Sequence, residues 1–259
     1  MKLNKYLLLL ISFLLSTPCF ARDVVITVVY NNVPYDKELT AGWGMSCFIE
    51  GLEKTILFDT GGDGSILLSN MAKLEINPAE VDTVVLSHIH ADHIGGLWGF
   101  LETNNQITVY FPRSFPAGFK SKAESLCRKI VPVDEPVEIC DGVFSTGELG
   151  GPIKEQSLVI DTPKGLIVIT GCAHPGIVNI VRFAKNYSGK NAYLVLGGFH
   201  LMAYSESQVE QIIKDLKELG VRKVGPSHCT GTRAIELFRE AWGEDFIELG
   251  CGAKVKIHF

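Results

Sequence analysis

Residues 88–93 are the part of this sequence best suited to chemistry. His88, His90, Asp92 and His93 place three imidazoles and one carboxylate within six consecutive positions. Neutral imidazoles bind borderline metal ions such as zinc, and a carboxylate adds an anionic oxygen ligand. A single surface histidine carries no such meaning, but packing rarely requires so dense a cluster. The segment therefore predicts a metal site.

The spacing of these four residues lets their side chains converge. His88 and His90 lie two positions apart at the end of an apolar run, and alternate residues of an extended chain point to the same side. Asp92 and His93 follow directly, and two glycines at 95–96 permit a tight turn. The donors can therefore meet at one metal ion or at two neighbouring ions.

Other polar residues follow apolar runs at turns that are rich in glycine or small residues. They are Asp59, His174, His200 and His228. Functional groups collect at such strand ends, where a rigid sheet holds the loops. His258 lies outside any turn of this kind, and we expect it to be an ordinary surface or core residue.

These residues require a framework of alternating strands and helices. Runs of β-branched and apolar residues predict strands at 24–30, 46–50, 55–58, 81–86, 107–111, 157–160, 166–170, 192–196 and 223–224. Helices are expected at 65–74, 176–185 and 207–219. The last of these has a capping box at Ser207 and Glu210, and Gly220 ends it. Residues 112–156 are the least regular, and we expect them to cover a site or to form an insertion.

Charge and composition narrow the range of partners. The chain has 259 residues with 24 basic and 29 acidic side chains, a formal charge of −5. Nucleic-acid binding requires a basic surface, which this balance does not provide. We therefore expect a small-molecule substrate and no nucleic acid.

The first 21 residues resemble a secretory signal peptide. Lys2 and Lys5 precede an apolar stretch at 6–15, and small residues follow up to Ala21. A membrane-spanning helix needs about 20 apolar residues, roughly twice this run. We expect cleavage after Ala21, a single domain at 22–259, no membrane association after cleavage, and a periplasmic or secreted product.

Six cysteines remain after this cleavage. Cys127 and Cys140 flank a short segment and are the first candidates for a disulfide, although the sequence cannot decide the pairing. Cys172 and Cys229 lie beside motif histidines. We expect them to be small buried residues, with metal ligation as the alternative.

The segment from His88 to His93, preceded by Phe58-Asp59-Thr60-Gly61, resembles the metallo-β-lactamase superfamily. This resemblance implies an α/β fold, the αββα sandwich, in which two mixed β-sheets are flanked by helices and a metal cleft lies at one edge. It also implies the roles of the candidate residues. One metal would be bound by His88, His90 and His174, a second by Asp92, His93 and His228, and Asp59 would support these ligands from behind.

Further segments resemble one branch of that superfamily, named after a dihydropterin–ribofuranosylaminobenzene-phosphate synthase. They include residues 42–44, 171–176, 197–201 and 227–231. One departure matters, because most superfamily members have an aspartate that bridges two metals between the motifs of His174 and His228. This chain has His200 in that region, and an imidazole does not bridge as a carboxylate does. His200 is then either a ligand or a hydrogen-bond donor to the substrate or to a developing oxyanion.

The sequence favours a metal-dependent hydrolase. A zinc ion lowers the pKa of a bound water to about 7, so one or two zinc ions would supply a nucleophile against a phosphoester, lactone, thioester or amide. Asp92 would orient that water or accept its proton. The alternatives are a transferase like the named synthase and a non-catalytic metal or ligand binder.

The sequence leaves two alternatives for the role of each of two further segments. The glycine-rich turn at 61–65 either binds an anion through backbone N–H groups or is a plain turn, and the second is favoured because no basic residue is present. Glu148 and residues 155–157 either reach the cleft or are polar groups at strand edges.

Overall fold

The computed structural model of the chain describes residues 23–259. The signal peptide predicted at residues 1–21 lies outside this range. Thirteen strands are present in the described part: β1 (Val24–Asn31), β2 (Met45–Glu50), β3 (Ile56–Phe58), β4 (Thr83–Val85), β5 (Thr108–Pro112), β6 (Lys129–Val133), β7 (Val137–Cys140), β8 (Val143–Ser145), β9 (Leu158–Thr162), β10 (Gly165–Thr170), β11 (Ala192–Gly198), β12 (Lys223–Ser227) and β13 (Lys254–Ile257).

These strands form two mixed sheets. The seven-stranded sheet has the order β13-β1-β2-β3-β4-β5-β6, and the six-stranded sheet has the order β12-β11-β10-β9-β8-β7. The helices of the described range are α1 (Gly64–Lys73), α2 (Ala91–Ile94), α3 (Leu97–Thr103), α4 (Ala117–Leu126), α5 (Ile177–Ser188), α6 (Glu206–Glu218) and α7 (Thr232–Trp242).

Three apolar layers hold the sheets and helices together. The central layer lies between the sheets and includes Ile26, Ile49, Ile167 and Leu196, all fully buried. A second layer joins the six-stranded sheet to α5, α6 and α7, and a third joins the seven-stranded sheet to α1 and α3. Burial of this apolar surface is the main stabilising contribution. The arrangement confirms the αββα sandwich.

Parallel pairing brings the ends of several strands to one edge of the sandwich. In the first sheet β3, β4, β5 and β6 run parallel, and in the second sheet β10, β11 and β12 run parallel. The turns after β3, β4, β10, β11 and β12 carry Asp59, His88, His174, His200 and His228, respectively. The carboxyl ends of parallel strands are a common place for functional groups in open α/β sheets.

Two sequence predictions need correction. The N-cap of α6 lies two residues before the predicted one, because Ser205 and Gln208 form the capping box and Ser207 does not. Residues 112–156 are more regular than expected, since they contain α4 and the strands β6, β7 and β8. These strands are short, β6 contains Pro132, and Pro136 directly precedes β7, which weakened the alternating pattern in the sequence.

The proposed disulfide between Cys127 and Cys140 is wrong for this structure. All six cysteines of the described range are free thiols. Cys127 ends α4 and packs against the outer layer of the seven-stranded sheet, whereas Cys140 ends β7 in the central layer. Within residues 23–259, no helix combines the length and the apolar character that crossing a bilayer requires.

Candidate metal centre

Two groups of potential metal ligands lie together at the edge of the sandwich. His88, His90 and His174 form the first group. Asp92, His93 and His228 belong to the second, which also contains a cysteine discussed below. In each group, one donor atom from every residue lies within 4.8 Å of all the others. The structure thus brings together all six residues expected to bind metal.

The first group consists of three imidazoles that lie close together, one of which has a ring nitrogen without a hydrogen-bond partner in the described part of the chain. His88 Nε2 lies 3.1 Å from His90 Nδ1. His174 Nε2 is buried and has no hydrogen-bond partner within residues 23–259. A buried polar atom without a partner costs free energy, so its native partner is expected to be something other than these protein groups. A metal ion bound by the three imidazoles would satisfy this nitrogen.

The second group has the spacing of a tetrahedral site. His93 Nε2 lies 3.2 Å from His228 Nε2, and Asp92 Oδ2 lies 3.3 Å from His228 Nε2 and 3.6 Å from His93 Nε2. Ligand atoms about 2.0–2.1 Å from a tetrahedral zinc ion are about 3.3–3.4 Å from one another. The residues present therefore fit a metal ion of this kind.

Asp59 holds the metal-binding segment from behind. Its Oδ2 lies 2.7 Å from His93 Nδ1 and accepts a hydrogen bond of 2.7 Å from Ser87 Oγ. Its Oδ1 accepts a hydrogen bond from the Ser87 backbone N–H at 2.6 Å. With Nδ1 held by the carboxylate, Nε2 of His93 is free to bind a metal ion. The geometry is the one that the sequence resemblance implies.

Asn32 plays the same part for His228, and the sequence reasoning missed it. Asn32 Oδ1 lies 2.6 Å from His228 Nδ1, so the other ring nitrogen points into the second group. Asn32 directly follows β1, a strand remote in sequence from every motif. Its position close to the end of a predicted strand was the one feature of the sequence that could have identified Asn32 as a site residue.

Glu155 supports the loop that follows β10. Its side chain is fully buried and accepts hydrogen bonds from four consecutive backbone N–H groups at 2.8–3.1 Å, those of Gly171, Cys172, Ala173 and His174. Burial raises the pKa of this carboxyl to about 7, although the hydrogen bonds from the loop oppose the shift. Of the two alternatives for residues 155–157, neither describes Glu155, which is buried beneath the loop of His174 and belongs to neither ligand group.

Electrostatics favour neutral imidazoles in the first group. Burial, and then the neighbouring His93, strongly lower the pKa of His88. Burial and His200 lower the pKa of His174 to about 4. Both rings are therefore uncharged at neutral pH, the form in which imidazole binds metal ions.

The second group carries a fixed negative charge. Burial acts to raise the pKa of Asp92, but the hydrogen bond with His228 and the charge of His93 outweigh it and lower the pKa to about 2. Burial lowers the pKa of His93, but the stronger combined influence of Asp59 and Asp92 raises it. Asp92 is ionised at neutral pH and offers the anionic oxygen that a divalent cation prefers.

Left-handed backbone conformations are concentrated around the site. Four non-glycine residues adopt φ values of 52–59° there, namely Asp59, Ala173, His200 and His228. Such conformations cost about 1–3 kcal/mol each and persist where the surrounding structure enforces them. They aim the side chains into the cleft at the points where the chain leaves β3, β10, β11 and β12.

His200 lies at the open side of the first group. Its ring centroid is 4.4 Å from that of His174, and the donor atoms of Cys172, His174 and His200 lie within 4.8 Å of one another. A hydrogen bond with Cys229 raises the pKa of His200. Because the side chain is exposed, it can face a substrate as well as a metal ion. Both roles expected from the sequence remain compatible with this position.

The glycine-rich turn at 61–65 is a plain turn. Asp63 caps α1 by accepting hydrogen bonds from the backbone N–H groups of Ser65 and Ile66. These amides are therefore already satisfied by a carboxylate. Glu148 accepts a hydrogen bond from the Ser114 backbone in an exposed position and takes no part in either ligand group. His258 is exposed and pairs with Asp23, as expected for an ordinary surface residue.

A cavity of about 510 Å³ opens beside the first group. His174 and His200 form one side of it, and Asn179, Arg182 and Tyr204 contribute polar atoms elsewhere. Pockets for organic ligands measure about 300–1,000 Å³. The lining residues come from the segments around α5 and α6, and none of residues 112–156, which were expected to cover a site or to form an insertion, lines this cavity.

The sequence matches a known protein family over most of its length. The model of the metallo-beta-lactamase superfamily matches residues 44–228, a range that contains every ligand of both groups. The chain belongs to the metallo-beta-lactamase superfamily. Its donor groups are compatible with the metal binding typical of that fold, and it is a metal-dependent enzyme of this family.

A named relative extends the similarity over nearly the whole chain. The 7,8-dihydropterin-6-methyl-4-(beta-D-ribofuranosyl)-aminobenzene-5'-phosphate synthase of Methanocaldococcus jannaschii is 34% identical, and the match covers 90% of this chain and 96% of that protein. The branch resemblance seen in the sequence is thereby confirmed.

Solved structures agree on the fold. Tm1679, described as a metal-dependent hydrolase of the beta-lactamase superfamily, superimposes with a TM-score of 0.77 at 26% identity and covers 91% of this chain and all of its own. YhfI of Bacillus subtilis, a metallo-beta-lactamase fold protein, has a TM-score of 0.68 at 16% identity and covers 90% of this chain and 99% of its own. At that identity the second match shows the fold alone.

Proposed function

We propose that this chain is a transferase-type enzyme that joins two organic substrates at the metal centre. The observation that carries the proposal is the 34% identity to a synthase over 90% of this chain and 96% of that protein. The hydrolase favoured by the motif alone becomes the second candidate.

The name of the relative's product suggests the substrate class. That product contains a dihydropterin, a methyl carbon at position 6, and a ribofuranosylaminobenzene phosphate. A similar reaction here would form a bond between that carbon and the aminobenzene. A leaving group would depart from the carbon with the bonding electrons, and the aminobenzene would lose a proton.

The cavity beside the first group supports this proposal. Its volume of about 510 Å³ is large enough for an organic molecule, and His174 and His200 bring it up to the metal ligands. Arg182 and Asn179 lie on its wall and would bind the phosphate of one substrate. Arginine is suited to this because its guanidinium donates two parallel hydrogen bonds to phosphate oxygens.

The side chains around the metal centre have different roles in the proposed reaction. When bound, a divalent metal ion polarises a substrate oxygen and stabilises negative charge that develops on it. Asp59 and Asn32 fix the orientation of His93 and His228, so the site is organised before the substrate arrives. His200 is exposed at the cavity and is the group to which we assign the proton released by the aminobenzene.

The test is a two-substrate assay on zinc-loaded protein. A 7,8-dihydropterin with a leaving group on the 6-methyl carbon is supplied with 4-(β-D-ribofuranosyl)aminobenzene 5'-phosphate, and the joined product is sought by mass spectrometry. We expect product with both compounds present and none with either alone, and a slower reaction in His200→Gln with an unchanged zinc content. Release of the leaving group at the same rate without the second substrate would overturn the proposal.

Hydrolysis is the second candidate because of Tm1679, which is 26% identical and is described as a metal-dependent hydrolase. A hydrolase needs only one organic substrate and water. A screen of phosphodiesters, lactones and thioesters on the zinc-loaded protein tests it. Turnover of one of these that disappears in Asp92→Ala would favour hydrolysis over transfer.

A further inference from the structure

The second ligand group takes its carboxylate from Asp92 and receives no side chain from the end of β11. Strand β11 ends in two glycines, Gly197 and Gly198. A Cβ atom at Gly198 would lie 2.4 Å from the backbone oxygen of Gly171 and 2.7 Å from Cys229 Sγ. Both distances are below van der Waals contact, so this strand has no room for a side chain that could bind metal.

A buried sulfur lies beside the second ligand group. Cys172 Sγ is 3.2 Å from His93 Nε2 and belongs to the same group of donors as Asp92 and His228. It also forms a group with His174 and His200 beside the first ligand set. Among the described residues, Cys172 is the one that belongs both to the donor group containing His93 and to a donor group containing His174.

We propose that Cys172 supplies a thiolate ligand to the metal ion held by Asp92, His93 and His228. The sulfur would complete a four-ligand set for that ion, and it also lies within 4.8 Å of the donor atoms of His174 and His200. This inference rests on the metal centre of the proposed function but is independent of the reaction that the centre catalyses.

The backbone holds Cys172 in this position. Its N–H donates to Glu155 Oε1 at 2.9 Å, and the next residue, Ala173, adopts a left-handed conformation with φ of 59°. Cys172 is only 3% exposed, so solvent does not compete for the sulfur. A thiolate is a good ligand for zinc, with a metal–sulfur distance of about 2.3 Å.

Cys229 is the other sulfur nearby, and its geometry is less suitable. It approaches the backbone oxygen of Cys172 at 3.7 Å and is in contact with His200, but it belongs to neither donor group. Cys229→Ser is therefore the matched control for Cys172→Ser.

X-ray absorption at the zinc edge of the wild-type protein is the first experiment. The zinc content per chain is measured beforehand. We expect a sulfur shell at about 2.3 Å beside the nitrogen and oxygen shells. Bound zinc without a sulfur neighbour overturns this inference and leaves the metal centre intact, whereas no bound zinc overturns both. This measurement does not depend on the folding of any variant.

Titration with cobalt(II) alone assigns the sulfur. We expect a sulfur-to-cobalt charge-transfer band in the near ultraviolet for the wild type and for Cys229→Ser. The band should be absent from Cys172→Ser, which should still bind cobalt at the first group. A band that persists in Cys172→Ser, or that disappears in Cys229→Ser alone, overturns the assignment to Cys172.

Discussion

Asp59 Oδ2 lies 2.7 Å from His93 Nδ1, and both side chains are completely buried. This contact joins the end of β3 to the metal-binding segment that follows β4. Because the carboxylate occupies Nδ1, the opposite ring nitrogen faces His228 and Asp92. A residue that never touches the metal thus decides which atom of His93 does.

Replacing Asp59 by Asn should weaken metal binding. The amide loses the charge that orients His93, and loss of such a supporting group typically lowers metal affinity about 10–100-fold. Competition with a chelator measures the affinity. Asp63→Asn is the control, since Asp63 lies in the same turn and caps α1 instead. Equal zinc affinity in Asp59→Asn and the wild type would contradict this role.

Replacing Glu155 by Gln should destabilise the loop that carries His174. The amide presents an NH₂ group towards backbone N–H donors, so one or more of the four buried hydrogen bonds is lost, at about 1–3 kcal/mol for each unsatisfied group. Chemical denaturation of the metal-free protein measures the loss. Glu138→Gln, which alters an exposed glutamate of β7, should change stability by no more than about 0.5 kcal/mol. Similar values for the two variants would show that the loop does not depend on Glu155.

Replacing His90 or Asp92 by Ala should abolish turnover while the fold is retained. Each substitution removes a ligand from one group only, so zinc measured per chain should fall by one equivalent if two ions are bound. Elemental analysis, with circular dichroism to verify folding, measures this. Activity that survives either substitution would refute the placement of the reaction at this centre.

Replacing Arg182 by Ala should weaken the binding of a phosphate-bearing substrate. A hydrogen bond to a charged group contributes about 1.5–3 kcal/mol, so the KM should rise about 10–100-fold with a smaller change in kcat. Steady-state kinetics with the ribosyl phosphate separates the two constants. Arg239→Ala, which removes an arginine paired with Glu248 on the surface, should leave the KM unchanged. An unchanged KM in Arg182→Ala would place the phosphate elsewhere.

Expression of the full chain in a bacterium should yield a protein that begins at Arg22. The charged start, the apolar run and the small residues before Ala21 are the features that signal peptidases recognise. Intact mass spectrometry of the protein from the periplasm or medium measures the new terminus. Recovery of a chain with residues 1–21 intact, from the cytoplasm, would contradict the export prediction.

The sequence by itself determined the parts of this protein that depend on neighbours along the chain. His88 and His90 converge because they alternate at a strand end, and Asp92 and His93 follow within one short helix, α2. The β-branched runs also placed most strands, since these residues favour the pleated backbone wherever they are buried. The resemblance to a known family then predicted the αββα sandwich.

The tertiary structure decided which distant residues complete the site. His93 and His228 are 135 positions apart, yet their Nε2 atoms lie 3.2 Å from each other, because two sheets pack with their strand ends at one edge. The same packing brings Asn32 behind His228, and Glu155 behind the loop of Cys172. Local patterns pointed to His228 and to residues 155–157 but could not give their partners, because a contact between two sheets depends on the packing of the whole core rather than on spacing along the chain.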